Sequence, residues 1–373
     1  MKYIWQHKKW PHFEYDVSQI QDLLYNYALT AGLLEAEVLQ LQPEAQIDAI
    51  VDVMVSEALK TSEIEGEKIS PDAVRSSIRN QLGLSKKPEP VKDPRAIGIS
   101  KLMIEVRKNY RQPLTKEELF LWHDMIFQDS YQRTALEIGT WRTNKEPMQI
   151  VSGAIGREII HYEAPPSSRV NKEMKLFIAW FNETDPAISK EPIAGPVRAA
   201  IAHLYFECIH PFADGNGRIG RAISEKALTQ ELQRPILFSM STLIQKNKKE
   251  YYQQLSDASS GDITITPWIE YFVKTIYASV LDSKELVAGT IQKAHFWQKY
   301  ATLLNDRQTK VLARMFEEGP TGFKGDINAA KYMRIAHCAK ATATRDLVEL
   351  LGFGCLVRLP GSGRSTSYQI RLT

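Results

Sequence analysis

The twelve residues His210-Pro-Phe-Ala-Asp-Gly-Asn-Gly-Arg-Ile-Gly-Arg221 constrain this 373-residue chain more than any other stretch. Pro211 ends the helix before it, because a proline has no N–H to continue the ladder. Gly215-Asn216-Gly217 can bend so that consecutive backbone N–H groups point into one concavity. Arg218 and Arg221 follow at i, i+3, which is one face of a new helix. The segment therefore reads as helix, tight turn, helix. A helix N-terminus with free amides and two guanidinium groups is a polyphosphate site. Asp214 stands at its lip, where a hard divalent cation bridging phosphates needs an oxygen ligand. His210 is the residue type in this segment that exchanges a proton near neutral pH.

No other nucleotide fingerprint competes. The sequence has no GxxxxGK[ST] loop and no GxGxxG after a strand. It has no HExxH, and Cys208, Cys338 and Cys355 lack zinc spacing. His203, seven residues before His210 on the same predicted helix, reads as a core residue or one just behind the site.

The segment is identified as a match, position for position, to the HPFx[D/E]GNGRxxR signature of the Fic family. Its members mostly transfer AMP from ATP to a hydroxyl side chain of a target protein. The resemblance implies that His210 is the general base and Asp214 the Mg²⁺ ligand. It implies that Gly215, Asn216 and Gly217 form the anion hole, with Arg218 and Arg221 on the phosphates. Pro147 to Pro166 alternates apolar and polar residues around Gly153 and Gly156, which predicts a hairpin. It resembles the Fic flap, which holds the target by β-strand addition. Ile160, His161, Tyr162 and Glu163 would form its nucleotide-facing end. Tyr251-Tyr252 and Ser259-Ser260-Gly261-Asp262 resemble the segment lining the adenine side. Ser259 stands where the family often has Asn.

A second motif lies far from the first. Ile47, Ile50, Val51, Met54, Ala58 and Thr61 recur at helical spacing and predict an amphipathic helix over residues ~46–65. Thr61 and Glu65 share its face, and Gly66 is a natural stop. A carboxylate in the last turn opposes the helix dipole, so it needs a cation or open water. Thr61-Ser-Glu-Ile-Glu65-Gly66 resembles the family's inhibitory pattern, [S/T]xxxE[G/N]. That resemblance implies an ion pair from Glu65 to Arg221, placed where the γ-phosphate would bind, as in a class II Fic protein.

The expected fold is mainly α: a Fic-type helical core with a β-hairpin flap, plus a C-terminal winged helix-turn-helix. Four segments are expected: an N-terminal helical region with the inhibitory helix (1–95), the catalytic domain (96–285), a linker helix (286–305) and the winged helix (306–373). Pro-rich Lys86–Pro94 marks the first boundary. Core helices are predicted at Ile97–Tyr110, Lys116–Phe127, Lys172–Asn182, Ile193–Ile209, Gly217–Gln230 and Lys246–Leu255. A hydrophobic content of 43% suits sizeable cores, and no run approaches the ~18 apolar residues of a membrane span. The charged, aromatic N-terminus does not read as a signal peptide, and three scattered cysteines fit a reducing cytoplasm.

Positive charge concentrates in the tail. Residues 306–373 carry 11 Lys and Arg against 6 Asp and Glu, whereas the rest carries 36 against 38. Three predicted helices and two strands around Pro360-Gly-Ser-Gly-Arg364 resemble a winged helix. Lys340, Thr342, Thr344 and Arg345 open its last helix, where DNA contacts usually sit. Docking to protein or homodimerisation is the other open role. Three functions stand: an autoinhibited adenylyltransferase using ATP and Mg²⁺ on itself and a target protein, a DNA-binding regulator with a nucleotide-sensing core, and a de-AMPylase using the same site. No membrane partner is expected.

Overall fold

The computed structural model describes residues 3–85, 87–127, 137–152, 159–316, 326–360 and 366–371. The protein is mainly helical. Packing divides it into two units: residues 1–35 with 50–283, and residues 36–49 with 284–373. The region expected over 1–95 contributes to both, and the linker expected over 286–305 falls within the second.

Helix α1 spans Gln21–Leu39 and α2 Pro43–Ile64, each lying partly in both units. Helix α2 starts four residues before its apolar period, since Pro43 suits a first helical position. Ile47, the first residue of that period, is exposed, whereas Val51, Met54, Ala58 and Thr61 are buried. Gly66 closes the helix in a left-handed conformation (φ 83°). Midway, the buried Glu57 accepts hydrogen bonds from Ser239 Oγ (2.9 Å) and Ser241 N (3.0 Å), which fixes α2 to the core. Helices α3 (Pro71–Gln81) and α4 (Pro94–Lys108) each begin with proline after a capping side chain, Ser70 and Asp93. Helix α5 spans Lys116–Phe127.

Strands β1 (Gln149–Ser152) and β2 (Ile159–Glu163) pair antiparallel, with Ile150 opposite Tyr162 and a bulge after Ile150. The predicted hairpin is present, and its turn around Gly153 and Gly156 lies outside the described residues. Helix α6 covers Ser167–Glu183. At the centre α7 (Gly195–Ile209) is buried at every residue and packs along α8 (Asn216–Leu232). A helix buried all round has no polar stripe, which is why its sequence shows little amphipathic period. Helices α9 (Met240–Lys246) and α10 (Lys248–Ser260) stand where one helix over Lys246–Leu255 is predicted. Ser239 starts α9 by accepting from Thr242 N at 3.3 Å. Helix α11 runs unbroken over Thr266–Tyr300, so the predicted helix at 285–305 is its second half.

The second unit adds α12 (Asp306–Phe316), α13 (Ala329–Ala336) and α14 (Lys340–Gly352). Strands β3 (Leu356–Arg358) and β4 (Tyr368–Ile370) pair antiparallel, and Ile327 bridges to Tyr368. Val311, Leu312, Tyr332, Leu347, Leu350 and Leu356 form its core with Phe296 and Tyr300. Buried Asp346 accepts from Arg307 Nε and Tyr332 Oη, both at 3.0 Å. Lys340, Thr344 and Arg345 are exposed and Thr342 is half-buried. Arg364 and residues 361–363 lie outside the described residues. Among the described residues no helix is long and apolar enough to cross a membrane.

Candidate active site

Helix α7 ends at His210, whose backbone is left-handed (φ 49°, ψ 60°). Histidine tolerates that region better than most side chains, and the turn swings its ring out of the helix. Three interactions hold the turn. Arg142 Nε donates to His210 O at 2.8 Å, and Arg142 N donates to Pro211 O at 2.9 Å. Asn216 bridges Phe212 twice, accepting from its N–H and donating to its C=O, each at 2.9 Å. The His123 ring stacks on Phe212 with centroids 4.2 Å apart. His123 Nδ1 accepts from Gly139 N at 3.0 Å, so Nε2 carries the proton and donates to Asp214 O at 3.1 Å. Burial pushes the His123 imidazole down to about 4, which keeps it neutral in this role.

Gly215 takes the position before α8 with φ 79°, and an added Cβ would lie 2.9 Å from the Phe127 ring. Its N–H donates to Asp214 Oδ1 at 2.6 Å, and the Asp214 side chain is exposed. Asn216, predicted in the anion hole, uses its side chain inside the loop, so only its backbone can face an anion.

The two arginines leave α8 on one face, as their spacing predicts. Arg221 is 1% exposed. Its Nε donates to Thr61 Oγ1 at 2.7 Å, and its Nη2 donates to Glu65 Oε1 at 2.7 Å and Thr61 O at 3.1 Å. Burial disfavours the Arg221 charge, but Glu65 overcomes this and holds the guanidinium above its ordinary range. Arg218 Nη1 donates to Glu67 Oε1 at 2.9 Å, and its guanidinium lies over Phe127. Glu65 also leans on the first turn of α8: a Cβ at Gly217 would lie 2.4 Å from Glu65 Oε1. The carboxylate that its own helix disfavours is thus received by an arginine and by the N-terminus of another helix.

The remaining predicted residues divide. Ile160 and His161 are exposed on β2. Tyr162 corrects the expectation of a nucleotide-facing side chain. It is 2% exposed, donates to Cys208 O at 2.7 Å and meets Tyr3 edge-on, because alternation along the strand turns it to the core. Glu163 is half-buried and tied to β1, accepting from Gln149 Nε2 at 2.8 Å. Tyr251 is buried with its hydroxyl 2.7 Å from His203 Nε2, and Tyr252 beside it is 40% exposed. Ser259 is buried in the last turn of α10, donating to Ser256 O at 3.1 Å.

Besides His123 and Glu67, two residues that the sequence reading passes over complete the site. Arg142 joins it from 68 positions away, with no local signal. Glu207 stands one turn before His210 with Oε2 3.6 Å from Nδ1, and helical spacing alone was a signal for it. Among the described residues no three His, Cys, Asp or Glu converge as a metal cluster. A magnesium ion seldom needs one, since it binds through one or two carboxylates plus substrate phosphates. The exposed Asp214 carboxylate, beside two arginines and a helix N-terminus, fits that mode.

Residues 113–228 match the Fic/DOC family, and residues 3–84 match a domain of unknown function (DUF4172). Residues 113–228 are thus similar to a Fic domain. The whole candidate loop, from His210 to Arg221, lies inside the Fic match, and Thr61 to Glu67 lie inside the other. The chain is 32% identical over 111 residues to the protein adenylyltransferase fic-1 of Caenorhabditis elegans, covering 30% of this chain and 20% of that protein. It is 22% identical over 296 residues to the protein adenylyltransferase Fic of Nematostella vectensis, covering 70% of this chain and 63% of that one. The matched stretch is thus about a fifth of the length of the nematode relative. A crystal structure of a Fic family protein from Desulfovibrio desulfuricans G20 has a similar fold, with TM-score 0.55 and 19% identity over 94% of this chain and 97% of that chain. A Fic domain containing signaling protein from Bacteroides thetaiotaomicron VPI-5482 gives TM-score 0.52 and 17% identity over 74% and 97%. At these identities the Fic likeness is one of fold.

Proposed function

We propose that this protein transfers AMP from ATP to a hydroxyl side chain of a target protein and of itself, and that Glu65 restrains the transfer. The observation that carries the reading is the Arg221–Glu65 bond of 2.7 Å, made on the same helix turn that the His210 loop feeds. An anion already sits on the proposed phosphate arginine.

In this reading the target oxygen attacks the α-phosphorus, forming one P–O bond as the bond to the β-phosphate oxygen breaks. His210 takes the hydroxyl proton, and pyrophosphate departs. The first-turn amides of α8 hold the phosphates in line, and Arg218 and Arg221 balance the charge on the leaving group. Asp214 would hold Mg²⁺, which when bound supplies further charge neutralisation at the phosphates. The β1–β2 hairpin is read as the flap that holds an extended target segment.

Glu65 and Thr61 together occupy three donor directions of Arg221, and Glu67 occupies Arg218. A triphosphate that needs both arginines meets two carboxylates first. Intact mass after incubation with ATP and Mg²⁺ tests this. The expected result is a gain of one or more AMP per chain, larger for Glu65→Gly than for the wild type. A Glu65→Gly protein that gains no mass at saturating ATP overturns the reading.

A further inference from the structure

Glu207 is one of the most deeply enclosed carboxylates of the molecule, and the reaction outlined above gives it no task. It lies on α7, three residues before His210, with a side chain 6% exposed. Its Oε2 is 3.6 Å from His210 Nδ1, and its Oε1 has no hydrogen-bond partner among the described residues. His210 Nδ1 is likewise buried without another partner.

Most of the other groups around Glu207 are committed elsewhere, although His203 Nδ1 is buried without a hydrogen-bond partner among the described residues, on the Gly220 side of Oε1. His203 turns its Nε2 to Tyr251 Oη, and burial holds its imidazole below the ordinary range. Arg221 points its Nε and Nη2 at Thr61 and Glu65. Tyr251 and Cys208 are buried, and burial pushes both upward, which keeps them neutral. Burial pushes the Glu207 carboxyl upward as well, but His210, His203 and Arg221 outweigh it, so it stays below its ordinary range and is charged. Space for it is made on purpose by the sequence: a Cβ at Gly220 would lie 2.6 Å from Glu207 Oε1. A buried anion of this kind needs a donor, and His210 Nδ1 faces its Oε2 at 3.6 Å while His203 Nδ1 lies on the side of Oε1.

We propose that Glu207 is a positioning residue for the general base: its carboxylate takes the Nδ1–H of His210 and leaves Nε2 bare to accept the target's proton. The inference rests on the adenylyl-transfer reading. At 3.6 Å the contact is long for a hydrogen bond, as catalytic contacts often are before substrate arrives. A carboxylate there fixes the tautomer and steadies the imidazolium that forms as the hydroxyl proton arrives. No atom of Glu207 touches substrate.

Two measurements test it. The first compares Glu207→Gln and Glu207→Asp in the Glu65→Gly background. Gln keeps the shape without the charge, so kcat is expected to fall roughly 10²-fold or more. KM for ATP and the thermal midpoint should stay at the parent values. The acid limb of the pH–rate profile should move to lower pH, and Glu207→Asp should recover part of the rate. The second is nitrogen NMR of the His210 ring in the otherwise wild-type chain, which needs no activity. The ring is expected as the Nδ1–H tautomer, and as a mixture in Glu207→Gln. A pH–rate profile superimposable on the parent's, a rate loss that tracks ATP KM or melting, or an unchanged tautomer in Glu207→Gln overturns the proposal. A Glu65→Gly parent with no transfer at all removes the transfer reading instead, and the tautomer then decides the Glu207 contact alone.

Discussion

The loop that carries His210 and the helix end that carries Glu65 meet at α8, but they are built in opposite ways. The loop is over-determined. Arg142, Asn216 and His123 each tie its backbone from a different side, and all three are buried. The helix end is lightly held. Glu65 and Glu67 are 28% and 27% exposed, and each reaches α8 through one ion pair. Thr61 adds two bonds from inside the helix. If the proposed function holds, the difference teaches that the His210 loop keeps its geometry while Glu65 is bound, and that release would need only the loss of contacts at the end of α2.

The largest effect that could break this comparison belongs to the loop. His210→Ala should reduce transfer roughly 10²- to 10⁴-fold, the usual contribution of a general base. ATP binding by calorimetry should stay near wild type, and comparable transfer by the alanine protein would remove the base assignment. Next comes the helix end. Glu65→Gly should raise self-labelling from radiolabelled ATP by roughly 10- to 1000-fold, the range set by a few kcal/mol for an ion pair with one buried partner. Arg221→Ala should show no such gain, since it removes the restraint and the phosphate contact together.

Two tests then ask how firmly the loop is held. His123 has a folded pKa of about 4 against an ordinary 6.5, so the unfolded chain binds its proton first as pH falls. Its stabilisation is full above pH 6.5 and is lost as pH drops toward 4, in total about 3 kcal/mol. Urea midpoints across that window should show the slope, and His123→Gln should flatten it. Asn216→Ala strands the N–H and C=O of buried Phe212 and should lower stability by about 1–3 kcal/mol. An unchanged melt would mean the loop is not held as described. The smallest effect sharpens the contrast: Glu67→Ala should raise labelling about two- to fivefold, as befits a half-solvated pair. A gain equal to that of Glu65→Gly would make Arg218 the governing contact.

Much of this was legible in the sequence, and the misses have physical causes. Lys116–Phe127 is a predicted helix with the observed ends, because its apolar face alternates cleanly with Glu117 and Glu118. Thr61, Glu65 and Arg221 could be brought together from motif resemblance alone. Helix α11 was legible only in its second half. Trp268, Ile269, Phe272 and Val273 bury several faces at once and blur the period that marks a surface helix. Tyr162 reads as a flap residue until strand register decides which face it takes. Arg142 acts through backbone carbonyls 68 positions away, and nothing local announces that. Glu207 looks like any polar residue on a helix, since burial, not identity, makes it distinctive.

Because Glu65 and Arg221 belong to one chain, the proposed restraint would have no dissociation by dilution. The carboxylate is a tethered competitor whose effective concentration is a constant of the fold, on the order of millimolar or above for short connections. In that reading ATP would be measured against a fixed rival at every protein concentration. Its apparent affinity for the intact protein would then report mainly how readily the last turn of α2 lets go, and a weak value would describe a guarded pocket, not a poor one.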